Sequence, residues 1–429
     1  MLQKQAADGL PGPPARTEDL HHDMKDRTVR TRCVFFLGGY EPIPPERQHE
    51  RYIRELGRSA RVWAVKADVG PLNLDRDRMI ATWRIAARGP NWSTDTDYHS
   101  LLWHDVVLAD FARPWWRRVT RAVAAFSDFI LTGTAFRYFR ANWLYGLFFT
   151  YPVALLVSFA ALSIYAASWL PALGLSLPLA YALMPIAAIA ILALLMAVPG
   201  RFLLLDYMMD DWIFGSELVR RARSDFDARL DGFARALADV LQRGGYDEVV
   251  FAGHSLGCAL KIAVADRALQ LAPDFGKKGE RLMLLSAGSS LLKIALHPKA
   301  DWLRDALVRV SAHNAIFWID YQSKADPISF YGSHPLAELN LPATGRPIVR
   351  RVHMRDILDA KTYRRFRANF FRLHRQLVMG NQKRYFYDYF MVCCGPLRLE
   401  QRVLKPETIV PAFAADGALL EPAPRKTKR

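Results

Sequence analysis

A chain of 429 residues is long enough to bury one large core or two ordinary ones, so its size permits an enzyme. Its 58 Lys and Arg against 42 Asp and Glu leave a formal net charge of +16, which points to an anionic partner, either nucleic acid or a membrane face. The four cysteines, Cys33, Cys258, Cys393 and Cys394, form no CxxC pair and have no histidine at metal-ligand spacing. That argues against a zinc site and against a disulfide framework, and it fits a reducing compartment.

Residues 1–28, with "PGPPAR" and "HHDMKDR", lack the apolar stretch of a secretory signal and read as a polar, flexible extension. The segment "RCVFFLGGY" then places a strand at Cys33–Leu37, followed by Gly38, Gly39 and Tyr40. Further strands near Arg61–Val65 and Ile80–Ile85, with a helical stretch between the first two, are expected to begin a parallel α/β sheet within residues 29–140.

From Ala141 to Gly200 there is no Asp, Glu, Lys, Arg or His. A membrane span needs roughly 20 apolar residues, so this stretch has room for two, at about 145–169 and 177–198, with "LPALGLS" as the turn between them. A helix in a soluble core keeps a polar stripe, and this segment has none. Trp143, Tyr145, Tyr151, Tyr165 and Trp169 lie near the expected ends, where amphipathic rings favour the interface. Arg113, Arg117, Arg118, Arg121, Arg137 and Arg140 precede the hairpin and Arg201 follows it, so both ends are expected on the cytoplasmic side. Membrane lipids then account for the excess positive charge, and with no nucleic-acid-binding signature in the chain, no nucleic-acid partner is expected. "DDWIFG", residues 210–215, is expected to lead back into the soluble domain, residues 201–413, as an interfacial aromatic anchor.

Leu218, Ala222, Phe226, Leu230, Phe233, Leu237 and Leu241 recur at three- and four-residue spacings, the stripe of an amphipathic helix packed on a sheet. Asp247–Ala252 reads as a strand buried on both faces, and "GCALKIAVADRALQL" resumes a helical period. Between them stands "GHSLG", residues 253–257, on a strand, turn and helix. That context suits a nucleophile: a sharp turn lifts Ser255 above the sheet, the glycines let strand and helix pack closely, and the helix start offers N–H groups to an oxyanion. Next come a strand in "RLMLLSAGSS", a helix at Asp301–Ser311, a strand running into a turn in "AIFWIDYQSKADPIS" and a last strand in "IVRRVHMRDIL". "RRFRANFFRLHRQLVMGNQKRYFYDYF" reads as an amphipathic helix with a solvated basic face, and residues 414–429 as a basic, disordered tail.

"GHSLG" in this setting resembles the nucleophile elbow of the α/β-hydrolase superfamily, its lipase and esterase members in particular. The resemblance implies an α/β-hydrolase-like, mostly parallel sheet flanked by helices, here interrupted by the two-helix transmembrane hairpin at 141–200. It implies an oxyanion hole from the Leu256 N–H and from the backbone at Gly38 and Gly39. It also implies the chain order serine, acid, histidine. Asp326 in "ADPI" is the expected acid, because Pro327 favours a turn at the strand end, and Asp320 within the strand is its competitor. His374 is the expected histidine, with His353 and His334 as alternatives, while His254 is expected to pack beside the turn. No metal and no cofactor is expected.

The function expected is a membrane-anchored serine hydrolase acting on an ester or thioester of a lipid or acyl substrate. Acyl transfer on the same fold and a catalytically inactive membrane scaffold are the alternatives. A transporter subunit is disfavoured because the two spans hold no charge that would line a path.

Overall fold

The computed structural model describes residues 28–420. Nine strands form one mixed sheet: β1 (Thr31–Leu37), β2 (Lys66–Val69), β3 (Asn73–Asp75), β4 (Ile80–Arg88), β5 (Ser93–Leu101), β6 (Glu248–His254), β7 (Leu282–Ala287), β8 (Ile316–Gln322) and β9 (Ile348–Arg351). Their order is β2-β4-β5-β1-β6-β7-β8-β9, with β3 also paired to β4. β1 lies parallel between β5 and β6, and β7, β8 and β9 continue in parallel. Only the pairings of β4, with β2, β3 and β5, are antiparallel.

The start of the sheet therefore departs from the expected parallel strands. Ile80–Ile85 falls in β4, which turns back into β5 through a tight loop where the Gly89 N–H donates to the Trp92 carbonyl (3.0 Å). Arg61–Val65 is not a strand; its first half is the last turn of helix α1 (Pro45–Trp63), closed by Ala64 at φ 54°. Trp63 is fully buried there and its indole N–H donates to Asp388 (3.0 Å), so a tertiary contact outweighs the local β preference.

The following helices are α2 (His104–Phe111), α3 (Trp115–Leu131), α4 (Thr134–Ala141), α5 (Trp143–Ala167), α6 (Leu177–Leu195), α7 (Leu205–Val219), α8 (Ser224–Arg243), α9 (Gly257–Leu271), α10 (Leu291–Ala295) and α11 (Asp301–Ala312). Alternation along the strands sorts the side chains between two cores. Phe35, Phe251, Leu284 and Trp318 join the core built with α7, α8, α9 and α11. Val34, Val250, Leu285 and Ile319 join the one built with α1 and the C-terminal segment. β6 is buried at every position, as a central parallel strand covered on both faces should be.

The amphipathic stripe is carried by α8 from Phe226 onward; Leu218 closes α7 and Ala222 is exposed in the link. "DDWIFG" lies inside α7, where Trp212 and Phe214 are fully buried, so it is core and no interfacial anchor. The reason is an aromatic cluster: Trp212 meets Phe129 and Phe149 edge to face, at 5.3 and 4.9 Å between centroids.

α5 and α6 are long and apolar enough to cross a membrane. At 1.5 Å per residue the 19 residues of α6 span about 28 Å, close to the roughly 30 Å of a hydrocarbon core. The basic aromatic stretch after β9 is broken into short helices at Ala360–Phe366 and Phe370–Gln376, the second capped by Asn369, whose side chain accepts from the Arg372 N–H (2.9 Å). The expected tail begins as an ordered turn: the Ala414 N–H donates to Ala418, and the Trp92 indole N–H donates to the Gly417 carbonyl (3.0 Å). The rest of that tail and the N-terminal extension up to residue 27 lie outside the described residues.

Candidate active site

Ser255 stands between β6 and α9 at φ 57°, a left-handed conformation that costs a non-glycine residue about 1–3 kcal/mol. Three backbone hydrogen bonds hold it there. Its N–H donates to Ala287 (3.3 Å), and its carbonyl accepts from Cys258 (3.0 Å) and Ser290 (3.2 Å). The flanking glycines are required by contact. A Cβ on Gly257 would lie 2.1 Å from the Leu37 carbonyl oxygen, and one on Gly253 would lie 3.0 Å from the Cys258 Cα. Elbow, β1 and α9 are thus pressed together, and the serine side chain is left partly exposed at the strand ends.

The two glycines after β1 divide their work. A Cβ on Gly39 would sit 2.8 Å from the Ser255 Cβ and 3.2 Å from its Oγ, so the Gly39 backbone runs directly against the serine. Gly38 instead gives its carbonyl to the Trp103 indole N–H (3.2 Å) and fixes the loop. Neither the Gly39 nor the Leu256 N–H donates to a backbone acceptor in the turns and loops of the described residues, which leaves both donors beside Ser255 open to an oxyanion.

Asp326 and His374 meet although 48 residues separate them. The His374 Nδ1–H donates to Asp326 Oδ2 at 2.7 Å, and the Ile328 N–H donates to Oδ1 at 3.0 Å. Both side chains are buried. With Nδ1 carrying the proton, Nε2 presents its lone pair; it is buried and without a hydrogen-bond partner among the described residues, so serine and histidine are not directly bonded in this structure. Gly288 links the three groups. It follows Ala287, which holds the Ser255 N–H, and a Cβ on it would lie 3.1 Å from His374 Cε1 and 3.2 Å from Asp326 Oδ2. Its φ of 59° lets the turn pass between them without a side chain.

The alternatives fall elsewhere. Asp320 lies inside β8 with its side chain on the α9 face, bonded to Gln322 Nε2 (2.8 Å). His353 precedes a short helix beyond β9, largely exposed beside Asp356, and the His334 ring donates to the Pro347 carbonyl (3.1 Å). His254 packs beside the turn as expected and also does more: its Nε2–H donates to the His374 carbonyl (3.2 Å), with the rings 4.5 Å apart. Burial, then the neighbouring His374, push the His254 pKa down to about 3, so the imidazole stays neutral and keeps its donor.

Sequence reasoning missed the residues that dock this site on the hairpin. Asn142 caps α5 by accepting from the Tyr145 N–H (3.0 Å), and its amide donates to the Tyr331 carbonyl (2.8 Å) in the loop that carries Asp326. The Ser333 hydroxyl donates to the Ala141 carbonyl (2.8 Å), and Tyr145 stacks on Phe330 at 3.8 Å. Phe148 of α5 touches Phe370 and Phe371 of the helix bearing His374. After the hairpin, Tyr207 packs on Phe371, and its hydroxyl donates to the Tyr40 carbonyl (2.7 Å) next to Gly39. All three loops around Ser255 therefore rest on the roots of α5 and α7. Only the Asn142 cap, an Asn three residues before the Tyr145 N–H it receives, has a local signature.

Compared with protein-family models, with curated proteins and with solved structures, the chain matches none of them.

Proposed function

We propose that the protein is a membrane-anchored serine hydrolase that cleaves an ester or thioester, with a lipid or acyl substrate, on an α/β-hydrolase-like fold. The observation that carries this reading is the buried Asp326–His374 pair, 2.7 Å apart, converging through Gly288 on a strained Ser255. The serine follows β6, the acid follows β8 and the histidine follows β9, in the chain order of that superfamily.

In this reading Ser255 Oγ attacks the acyl carbonyl while His374 Nε2 takes its proton, and Asp326 holds the Nδ1 tautomer and stabilises the imidazolium. The Gly39 and Leu256 N–H groups receive the oxyanion. The acyl-enzyme forms as the alcohol or thiol leaves with the proton returned by His374. Water, deprotonated by the same imidazole, then releases the acid. The hairpin holds the site at the bilayer, and the arginines at its roots support a cytoplasmic side for the soluble body.

The test is labelling of the detergent-solubilised protein with a fluorophosphonate. Wild type is expected to label and Ser255→Ala to remain unlabelled at the same thermal stability. Equal labelling of both would remove Ser255 from the mechanism, and a folded, unlabelled wild type would favour the inactive scaffold.

A further inference from the structure

We propose that α3 and α4 lie in the plane of the membrane surface and hold the soluble body flat against anionic phospholipid, as a second attachment beside the hairpin. The proposal rests on the membrane reading of α5 and α6.

α3 packs on α7 through Ala122, Ala125, Phe126 and Phe129. Its outward face carries Trp116, Val123, Ile130 and Leu131, at spacings of seven, seven and one, which return to one side of a helix. That face is exposed, Leu131 to 85% and Ile130 to 53%. The apolar surface does not stop at the end of α3: Phe136 on α4 is 71% exposed, and Phe202, just after the hairpin, is 86% exposed. In water, large rings and aliphatic chains in such a row are a liability, and soluble chains rarely leave a patch of this kind uncovered. Phe136 on α4 and Phe202 stand at the two chain ends of the hairpin, so the occupant that fits these exposed rings is the layer into which α5 and α6 project.

Charge agrees with that occupant. The arc of α3 from Trp116 to Leu131 that faces outward includes Arg117, Thr120, Ala124 and Ser127 and no acid; Asp128 turns aside to Arg220 and His297. Several root arginines are engaged within the protein, Arg113 with Asp110 and Arg118 with Asp206 and Asp210. Arg117, Arg140 and Arg201 have no ion-pair partner among the described residues. The Arg117 guanidinium lies over the Trp116 ring, 5.1 Å from its centroid. Arg140 borders an open cleft shared with Arg137 and Arg304, in which Glu338 is the single acid. An apolar face with free guanidiniums along its border is the pattern of a helix at the headgroup boundary.

The test uses the full chain reconstituted into vesicles, with spin labels introduced singly by Leu131→Cys and Phe136→Cys. Ile164→Cys on α5 and Arg235→Cys on α8 serve as references, and all four are made in a background where the four buried native cysteines are left unreacted. Labels at 131 and 136 are expected to collide with oxygen more readily than with a water-soluble nickel chelate, as the label at 164 does. The label at 235 should show the reverse. Aqueous labels at 131 and 136 with a lipid-embedded label at 164 overturn this proposal and leave the hairpin in the membrane. An aqueous label at 164 overturns the membrane reading itself. Arg117→Gln with Arg140→Gln should make the labels at 131 and 136 shallower in vesicles containing phosphatidylglycerol and leave them unchanged in phosphatidylcholine alone; equal depth in both lipids refutes the role given to anionic headgroups.

Discussion

Asp320 and Asp326 are six residues apart at one end of β8, both buried, and the fold treats them in opposite ways. Asp326 sits in the loop, where its two oxygens receive His374 and the Ile328 N–H. Asp320 sits within the strand, where the pleat commits its side chain to the α9 face. There Oδ2 accepts from Gln322 and Oδ1 has no partner among the described residues. Burial raises its pKa to about 6. The cation whose charge opposes that rise, Lys261, is itself fully buried, donates to the Ser286 hydroxyl (2.8 Å), and has its pKa lowered by burial to about 8. A carboxylate useful to chemistry must point across the sheet edge, and only a residue past the strand end has that freedom.

The largest expected effect separates the two acids by rate. Asp326→Asn takes away the acceptor that fixes the His374 tautomer, and under the proposed mechanism fluorophosphonate labelling and any ester hydrolysis should fall by about 10⁴-fold. Asp320→Asn should leave labelling within about tenfold of wild type, because Asp320 reaches the site only through Gln322, whose amide donates to the Ser333 carbonyl (2.9 Å). Similar losses in both variants would erase the distinction between strand and loop.

The next two effects appear in stability against pH, and they oppose each other. His254 has a folded pKa depressed to about 3 against about 6.5 in the unfolded chain, so the unfolded state takes up protons first. Its stabilising contribution is present above about pH 6.5 and is lost as pH falls toward 3, on the order of 5 kcal/mol at most. Asp320 has a folded pKa raised to about 6 from about 3.8, so its contribution is complete below pH 4 and is lost as pH rises through 6, roughly 3 kcal/mol at most. Thermal unfolding in detergent between pH 4 and 7 should therefore be flatter for wild type than for either variant. His254→Gln should become more stable toward acid relative to neutral pH, and Asp320→Asn less. Slopes that move together would show that the two groups do not titrate as their surroundings dictate.

Much of this site was legible in the sequence because its signals are local. The elbow is five residues on a strand, turn and helix, and the Asp-Pro pair marks a strand end. A strip of sixty residues without a charge marks the hairpin. What escaped was set by distant contacts. "RVWAV" looks like a strand until Trp63 finds Asp388, more than 300 residues away. β5 was hidden because "STDTDYHSL" alternates buried and exposed positions with polar residues on both. "DDWIFG" looked interfacial because its aromatic partners, Phe129 and Phe149, come from other helices. The division of labour between Gly38 and Gly39 is likewise invisible until β6 lies beside β1.

The smallest effect asks whether the loop acid depends on the hairpin while the strand acid does not. Asn142→Ala removes the α5 cap and the hydrogen bond its side-chain amide donates to the Tyr331 carbonyl, which should lower stability by about 1 kcal/mol. If the loop relied only on its own turn, that would be the whole effect. But Tyr331 is five residues from Asp326, and the same loop is stacked on Tyr145 and tied to Ala141. A loosened anchor should therefore also slow fluorophosphonate labelling several-fold, with the Asp320 contribution to the pH profile untouched. On the membrane reading of α5, reconstitution in vesicles should recover part of that rate. A variant that lost stability and kept its full labelling rate would show instead that β8 and Gly288 suffice to place Asp326, and that the hairpin does not shape the site.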